Sequence, residues 1–309
     1  MPPKMTTVQD APVACPPAPF HPLAAADILG RVEECQNLPA LSATTSALRE
    51  ILNGENQNTQ QIAEAIRRDP SLTTRLLRQM NTVQFGLSNP VARIDQAVLY
   101  LGTQHVRELA DAGPIMEELD TWPRSVGFNW KHFWQHCIGT AVITHELCAF
   151  TDLPKDDTPY LAGLLHDVGK IVMAFAFADH FCEVRRRVGA GENDLLRVER
   201  EVLGMDHAEL GAHYLGRHRL LAPLIAAAKF HHTSLAGSRN KLVAAVQIAN
   251  TLIRQAKLGH SGHPLAPANA ALDAWKVLLP RADAADRTRI RQSIAETMAQ
   301  LPAQLKSLA

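Results

Sequence analysis

The 309-residue chain balances 31 lysines and arginines against 31 aspartates and glutamates, so no global field draws it toward nucleic acid or an anionic membrane surface. Its five cysteines, Cys15, Cys35, Cys137, Cys148 and Cys182, form no Cys-x-x-Cys pair; this excludes a zinc ribbon or dithiol redox motif and fits reduced thiols. No signal-peptide pattern and no uncharged apolar run of about 18 residues is present, so the expectation is a cytoplasmic protein without a membrane segment.

Residues 1 to 22 hold seven of the 19 prolines and little apolar periodicity, which predicts an irregular leader over residues 1–23. From Ala24 onward the period is helical. Ile28, Leu29 and Val32 begin one amphipathic segment, which breaks near Asn37-Leu38-Pro39, and Leu41, Leu48, Ile51 and Leu52 carry the next up to Asn53-Gly54. Thr59 is a candidate cap for a helix bearing Ile62, Ala63 and Ile66, and Asp69-Pro70 opens another with Leu72, Leu76, Leu77 and Met80 inward. After the turn-rich link Phe85 to Pro90, Ile94, Ala97, Val98 and Leu101 predict a short helix ending at Gly102. Nothing up to residue 120 has a catalytic pattern; the segment reads as a helical module with a face free for a partner.

The character changes after Trp122-Pro123. Ten of the 14 histidines fall between His132 and His232. His132 and His136 share one helical face. Thr158 and Pro159 read as the cap and first residue of a helix whose apolar residues Leu161, Leu164, Leu165 and Val168 carry His166 and Asp167 into the interior. A buried carboxylate there needs a metal, a cationic side chain or a dense set of hydrogen bonds opposite it. The run Arg185 to Arg187 reads as a solvated helix face. Asp206 and Glu209 have the spacing of a capping box, which sets His207 in a first helical turn. Pro223 opens a helix ending at His231-His232, and Asn250 lies in the middle of another apolar helix. A Gly/His/Pro-rich link from Gly259 to Pro267 precedes two further helices, around Leu272 to Leu279 and Arg287 to Leu301. No strand-period segment of useful length is found, so the fold class is all-α. Mixed histidine and carboxylate donors suit zinc, iron, manganese or nickel.

The run Gly163-Leu-Leu-His-Asp-Val-Gly-Lys170 resembles the signature of the HD superfamily of helical metal-dependent phosphohydrolases. Further pieces extend the likeness: Leu38-Pro-Ala-Leu41, Ile66-Arg-Arg-Asp-Pro-Ser-Leu72, Leu76 to Gly86, Ile94 to Gly102, Phe133-Trp-Gln-His136, Glu201 to Gly211 and His231-His232. Their order resembles the HDOD family, the HD-related output domain of bacterial signalling proteins. The resemblance implies an HDOD domain over residues 24–258, with an N-terminal helical subdomain at 24–120 packed on an HD-like bundle at 121–258. Residues 259–309 then form a C-terminal linker and helices.

By the same resemblance, His136, His166 and Asp167 match metal ligands of the catalytic relatives, with His207, His231 and His232 as additional ligands of a two-metal site. His132 falls where some relatives carry one more ligand, and Lys170 matches a lysine lying by the substrate phosphate. The late metal-binding aspartate is replaced by Asn250, which offers a carbonyl oxygen without charge and is a weaker ligand. Two functions follow from the resemblance. One is a non-catalytic output module that binds a signalling protein, a nucleotide or a cyclic dinucleotide and holds one, two or no metal ions. The other is a metal-dependent phosphohydrolase in which Asp167 and Lys170 serve catalysis. No DNA-reading element is recognised.

Overall fold

The computed structural model describes residues 20–40, 42–54, 58–81, 91, 93–111, 114, 128–235, 237–263 and 271–306. Among these there are fifteen helices and no strand, as the apolar periodicity predicts. The first five are α1 (Ala25–Glu34), α2 (Ser42–Asn53), α3 (Thr59–Arg67), α4 (Pro70–Met80) and α5 (Ile94–Asp111). Then come α6 (Trp130–Ala149), α7 (Thr158–Leu165), α8 (Val168–Ala176), α9 (Ala178–Gly189) and α10 (Leu195–Val202). The last are α11 (His207–Arg217), α12 (Ala222–Phe230), α13 (Lys241–Gln255), α14 (Leu272–Leu278) and α15 (Ala284–Lys306). The Pro-rich leader up to residue 19, the link Phe85 to Pro90 and the Trp122-Pro123 boundary lie outside the described residues.

Side-chain caps set several helix starts. Asp69 accepts from the amides of Ser71 and Leu72 at 2.8 and 3.1 Å, and Asn129 and Asn240 cap α6 and α13. The capping box at Asp206 and Glu209 is formed in both directions, with His207 as first helical residue. Three expectations shift. Asn58, not Thr59, caps α3, its extended backbone letting the side-chain oxygen accept from the Gln60 amide at 2.8 Å. The helix from Ile94 ends at Gly102 as expected, where φ is 76°, and a second helical stretch continues from this break to Asp111 within α5. Asp157 rather than Thr158 holds the cap position of α7, since the Thr158 amide donates to Asp156 Oδ1 at 2.8 Å. Finally, His166 and Asp167 do not ride within one helix. α7 stops at Leu165 and α8 starts at Val168, so the pair forms the corner between them.

Helices α2 to α5 pack on one another, whereas α1 lies against α8 and α11. The first group is tied to the motif helix through Asp157, whose carboxylate accepts from Arg67 at 2.7 Å and from the Ile94 amide at 2.8 Å. Helix α6 is the hub of the second group, with α7, α13 and α15 packed around it. Thr140 and Thr144 therefore sit inside, and each hydroxyl donates to the carbonyl four residues earlier. Helix α14 packs on α13. Arg185, Arg186 and Arg187 are not a plain solvated face. Arg185 lies over the Phe128 ring and donates to the Gly262 carbonyl, Arg186 pairs with Glu183, and Arg187 pairs with Glu192 and Glu201. Cys35, Cys137 and Cys148 are buried free thiols. Among the described residues no single helix is long and apolar enough to cross a membrane.

His218, at the end of α11, ties that helix to the end of α1 by donating Nε2–H to the Cys35 carbonyl at 3.2 Å. Burial lowers its pKa from 6.5 to about 4, so the unfolded chain takes up a proton there before the folded chain does. Stability is therefore full above pH 6.5 and falls as pH drops toward 4. His218→Gln, which keeps a donor but does not titrate, is expected to lose less stability between pH 7 and pH 4.5 than wild type. The difference in urea unfolding should be up to roughly 3 kcal/mol, from about 1.4 kcal/mol per pKa unit.

Candidate metal centre

The corner between α7 and α8 places Asp167 at the centre of the bundle, fully buried. It can sit there because α8 and α11 meet at glycines. A Cβ on Gly169 would stand 1.8 Å from the His207 carbonyl oxygen and 2.6 Å from the Gly211 amide nitrogen. This contact brings His207 onto Asp167, and it accounts for glycine between the His-Asp pair and Lys170.

Four imidazoles converge on the two carboxylate oxygens. On the Oδ2 side, His166 Nε2 lies at 3.4 Å and His136 Nε2 at 3.6 Å, and these two nitrogens are 3.3 Å apart. On the Oδ1 side, His207 Nε2 lies at 3.2 Å and His231 Nε2 at 3.3 Å. His232 Nε2 is 3.1 Å from His207 Nε2. The structure thus brings together six of the ligands that the resemblance implies. His132 is not among them: it is exposed one turn away on α6 and belongs to neither cluster of donor atoms. Asn250 is close by but on another wall. It is buried on α13 with Oδ1 lacking a hydrogen-bond partner, and it borders a cavity of about 530 Å³ with His231, His232 and Arg254.

The outer nitrogens fix the tautomers. His166 Nδ1 donates to the Gly163 carbonyl and His231 Nδ1 to the Ala228 carbonyl, both at 2.7 Å, while His207 Nδ1 lies 2.6 Å from Glu199. Burial pushes the His231 pKa down to about 4, so its ring is neutral and its Nε2 is a bare lone pair facing Asp167 Oδ1. Two acceptors then face each other in a dry interior. Both atoms are without a hydrogen-bond partner. Such a pair is costly unless a cation lies near. Orienting each ring through its outer nitrogen is how metal-binding histidines are held.

Burial also pushes His136, His232 and His263 well below the ordinary histidine range. Burial acts the same way on His207, but the Glu199 and Asp167 carboxylates outweigh it and raise that pKa to about 9. Burial alone would raise the Asp167 pKa; the Lys170 ammonium and the surrounding imidazoles overcome this and hold it well below the carboxylate range. Lys170 Nζ is 2.7 Å from Asp167 Oδ2 and only 2 % of the residue is exposed. The Oδ2 side therefore already has a cation.

Donor atoms fall into two sets spaced for a metal ion: His136, His166 and Asp167, and Asp167, His207, His232 and His263. Imidazole nitrogen with one carboxylate fits zinc, iron, manganese or nickel, and the unpartnered Asp167 Oδ1 gives a cation something to satisfy. His263 and Glu199 were not expected from the sequence. His263 falls in the Gly/His/Pro-rich link, where no periodicity assigns a direction. Glu199 reads as one more helix-surface acid, although its i+8 spacing to His207 across the Asp206 cap is a usable signal.

The pattern of helices and the His-Asp corner match one family, whose model, the HDOD domain, covers residues 38–234. The chain belongs to the HDOD family. An uncharacterized protein of Treponema pallidum (strain Nichols) is 27% identical over 239 residues, 74% of this chain and 44% of that protein. The HDOD chain here thus spans less than half the length of that relative. Among solved structures, a virulence factor of Campylobacter jejuni superposes with a TM-score of 0.67 at 23% identity, covering 93% of this chain and 98% of that one. The MmoQ response regulator of Methylococcus capsulatus gives a TM-score of 0.65 at 22% identity, covering 83% and 98%. At these identities the likeness bears on the HDOD fold.

Gly169→Ala tests the backbone contact that builds the centre. It is expected to cost about 3 kcal/mol or more in urea unfolding, because neither backbone can move away cheaply. Gly30→Ala, in α1 with nothing within 4 Å of the added Cβ, should leave stability unchanged or slightly raised.

Proposed function

We propose that this HDOD protein is a cytoplasmic signalling output module that acts by binding rather than by turnover, with residues 24–258 as the HDOD unit. The observation that carries this reading is the position of Lys170. The resemblance to HD enzymes puts the matching lysine by the substrate phosphate, but here its ammonium is buried and bonded to Asp167 Oδ2 at 2.7 Å. A side chain so held neutralises the core carboxylate and is removed from transition-state stabilisation. Asn250 supports the same reading, since it brings no negative charge where the enzymes have an aspartate.

When bound, a divalent metal would supply Lewis-acid charge at Asp167, His207 and the neighbouring imidazoles. This chain's own residues hold those rings rigidly: Glu199 aims His207, and the Gly163 and Ala228 carbonyls aim His166 and His231. Rigid support of this kind suits a bound ion that stiffens the bundle as well as one that reacts. The face available to a protein partner is on α5, where Leu99 and Tyr100 are 70 % and 55 % exposed.

A second reading, metal-dependent phosphoester hydrolysis, is favoured by the cavity of about 530 Å³ bordered by His231, His232, Asn250 and Arg254, which is large enough for a nucleotide fragment. Assay of metal-reconstituted wild type on phosphodiesters, phosphomonoesters and cyclic dinucleotides separates the two. The binding reading expects no turnover above the metal-only blank. Turnover abolished by Asp167→Asn would overturn it. Turnover that arises only in Asn250→Asp would identify the wild-type pocket as a disabled active site, in agreement with the binding reading.

A further inference from the structure

We infer that, given the metal-binding reading above, His263 is the fourth protein ligand of a closed site made with Asp167, His207 and His232. One donor atom from each of these four residues lies within 4.8 Å of every other. His207 Nε2 is 3.2 Å from Asp167 Oδ1 and 3.1 Å from His232 Nε2, and the His263 ring centroid is 4.5 Å from that of His232 and 5.3 Å from that of His207. Tetrahedral ligands at metal distances of about 2.0–2.2 Å stand roughly 3.3–3.6 Å apart, so the set needs only small adjustments. His263 Nε2 and Asp167 Oδ1 are both buried without a hydrogen-bond partner.

The segment that carries His263 lies beyond the 38–234 match and is held in place by its own contacts. Gly259 takes φ 74° and lies so close to α6 that a Cβ would be 2.4 Å from both the His132 carbonyl oxygen and the His136 amide nitrogen. The next amide, His260 N, donates to the His132 carbonyl at 2.9 Å. Gly262 N donates to His260 Nδ1 at 3.0 Å, and the Gly262 carbonyl accepts from Arg185, which is itself packed 5.2 Å over Phe128. These contacts aim His263 at the ligand cluster without a helix to carry it.

The two sides of Asp167 are unequal. On the Oδ2 side a dication would have to share its oxygen with the Lys170 ammonium, which has no lone pair to offer a metal, whereas the groups nearest Oδ1 are the His207 and His231 imidazoles at 3.2 and 3.3 Å. The ion thus belongs on the Oδ1 side, where three imidazoles and one carboxylate oxygen complete a four-coordinate shell. A shell filled by four protein donors is the structural rather than the catalytic arrangement for a zinc-like ion. His263 thereby gives the site a ligand where Asn250 withdraws one.

Cobalt(II) titration of the full-length protein, followed by visible absorption, tests this. Wild type should take up one equivalent with the strong d–d bands of a four-coordinate ion. His263→Ala should weaken cobalt binding at least about tenfold and reduce the bands to the weak absorption of a more hydrated ion. His263→Cys should restore band intensity and add a thiolate charge-transfer band, and exposed His145→Ala should match wild type. Affinity and bands unchanged in His263→Ala, with no charge-transfer band in His263→Cys, would overturn the role of His263 while leaving the metal reading intact. No cobalt binding by folded wild type would overturn both.

Discussion

The Asp167 carboxylate has no access to water, and the bundle is fitted to that one charge. Burying an ionised carboxylate costs several kcal/mol unless opposite charge and hydrogen bonds replace its hydration shell. Lys170 meets this demand at Oδ2. At Oδ1 the Nε2 atoms of His207 and His231 lie 3.2 and 3.3 Å away, and the neutral His231 ring turns a bare lone pair to the oxygen, so that contact is electrostatically unmatched. The outer partners Glu199, Gly163 and Ala228 fix this arrangement, because each holds a ring so that it presents Nε2 inward.

The fold serves this arrangement. The clustered side chains come from α6, the α7–α8 corner, α11, the end of α12 and the segment after α13, so no two adjacent helices could build the centre alone. The approach of α8 to α11 at Gly169 and Gly211 sets His207 against Asp167, and packing of α6 on α7 and α13 sets His136. The first helical group is anchored to the start of α7 by the Arg67–Asp157 pair. A partner acting on that group could be felt at the corner, which begins nine residues after Asp157 at His166.

The helical class, the family and six convergent side chains were legible in the sequence, because capping residues and 3.6-residue periodicity are local and the His-Asp signature is contiguous. The Asp206 box located His207 to the residue. The corner at His166-Asp167 was hidden for a physical reason: Leu161, Leu164, Leu165 and Val168 are all buried, and apolar spacing runs through a bend that is packed on both sides. His263 was hidden because its direction depends on tertiary contacts with His132 and Arg185, which leave no periodic trace. A cationic side chain opposite Asp167 was one of the partners its burial demanded, but only the structure shows that the Lys170 ammonium turns inward to supply it. The departure at Asn250 was visible from the family pattern, whereas its orphaned oxygen beside a cavity was not.

The most direct test of the central claim is anomalous diffraction from crystals of the zinc-reconstituted protein. One peak on the Oδ1 side of Asp167, with Lys170 still on Oδ2, is expected if the unequal carboxylate governs the site. A peak between His136 and His166, with Lys170 turned away from Asp167, would contradict it.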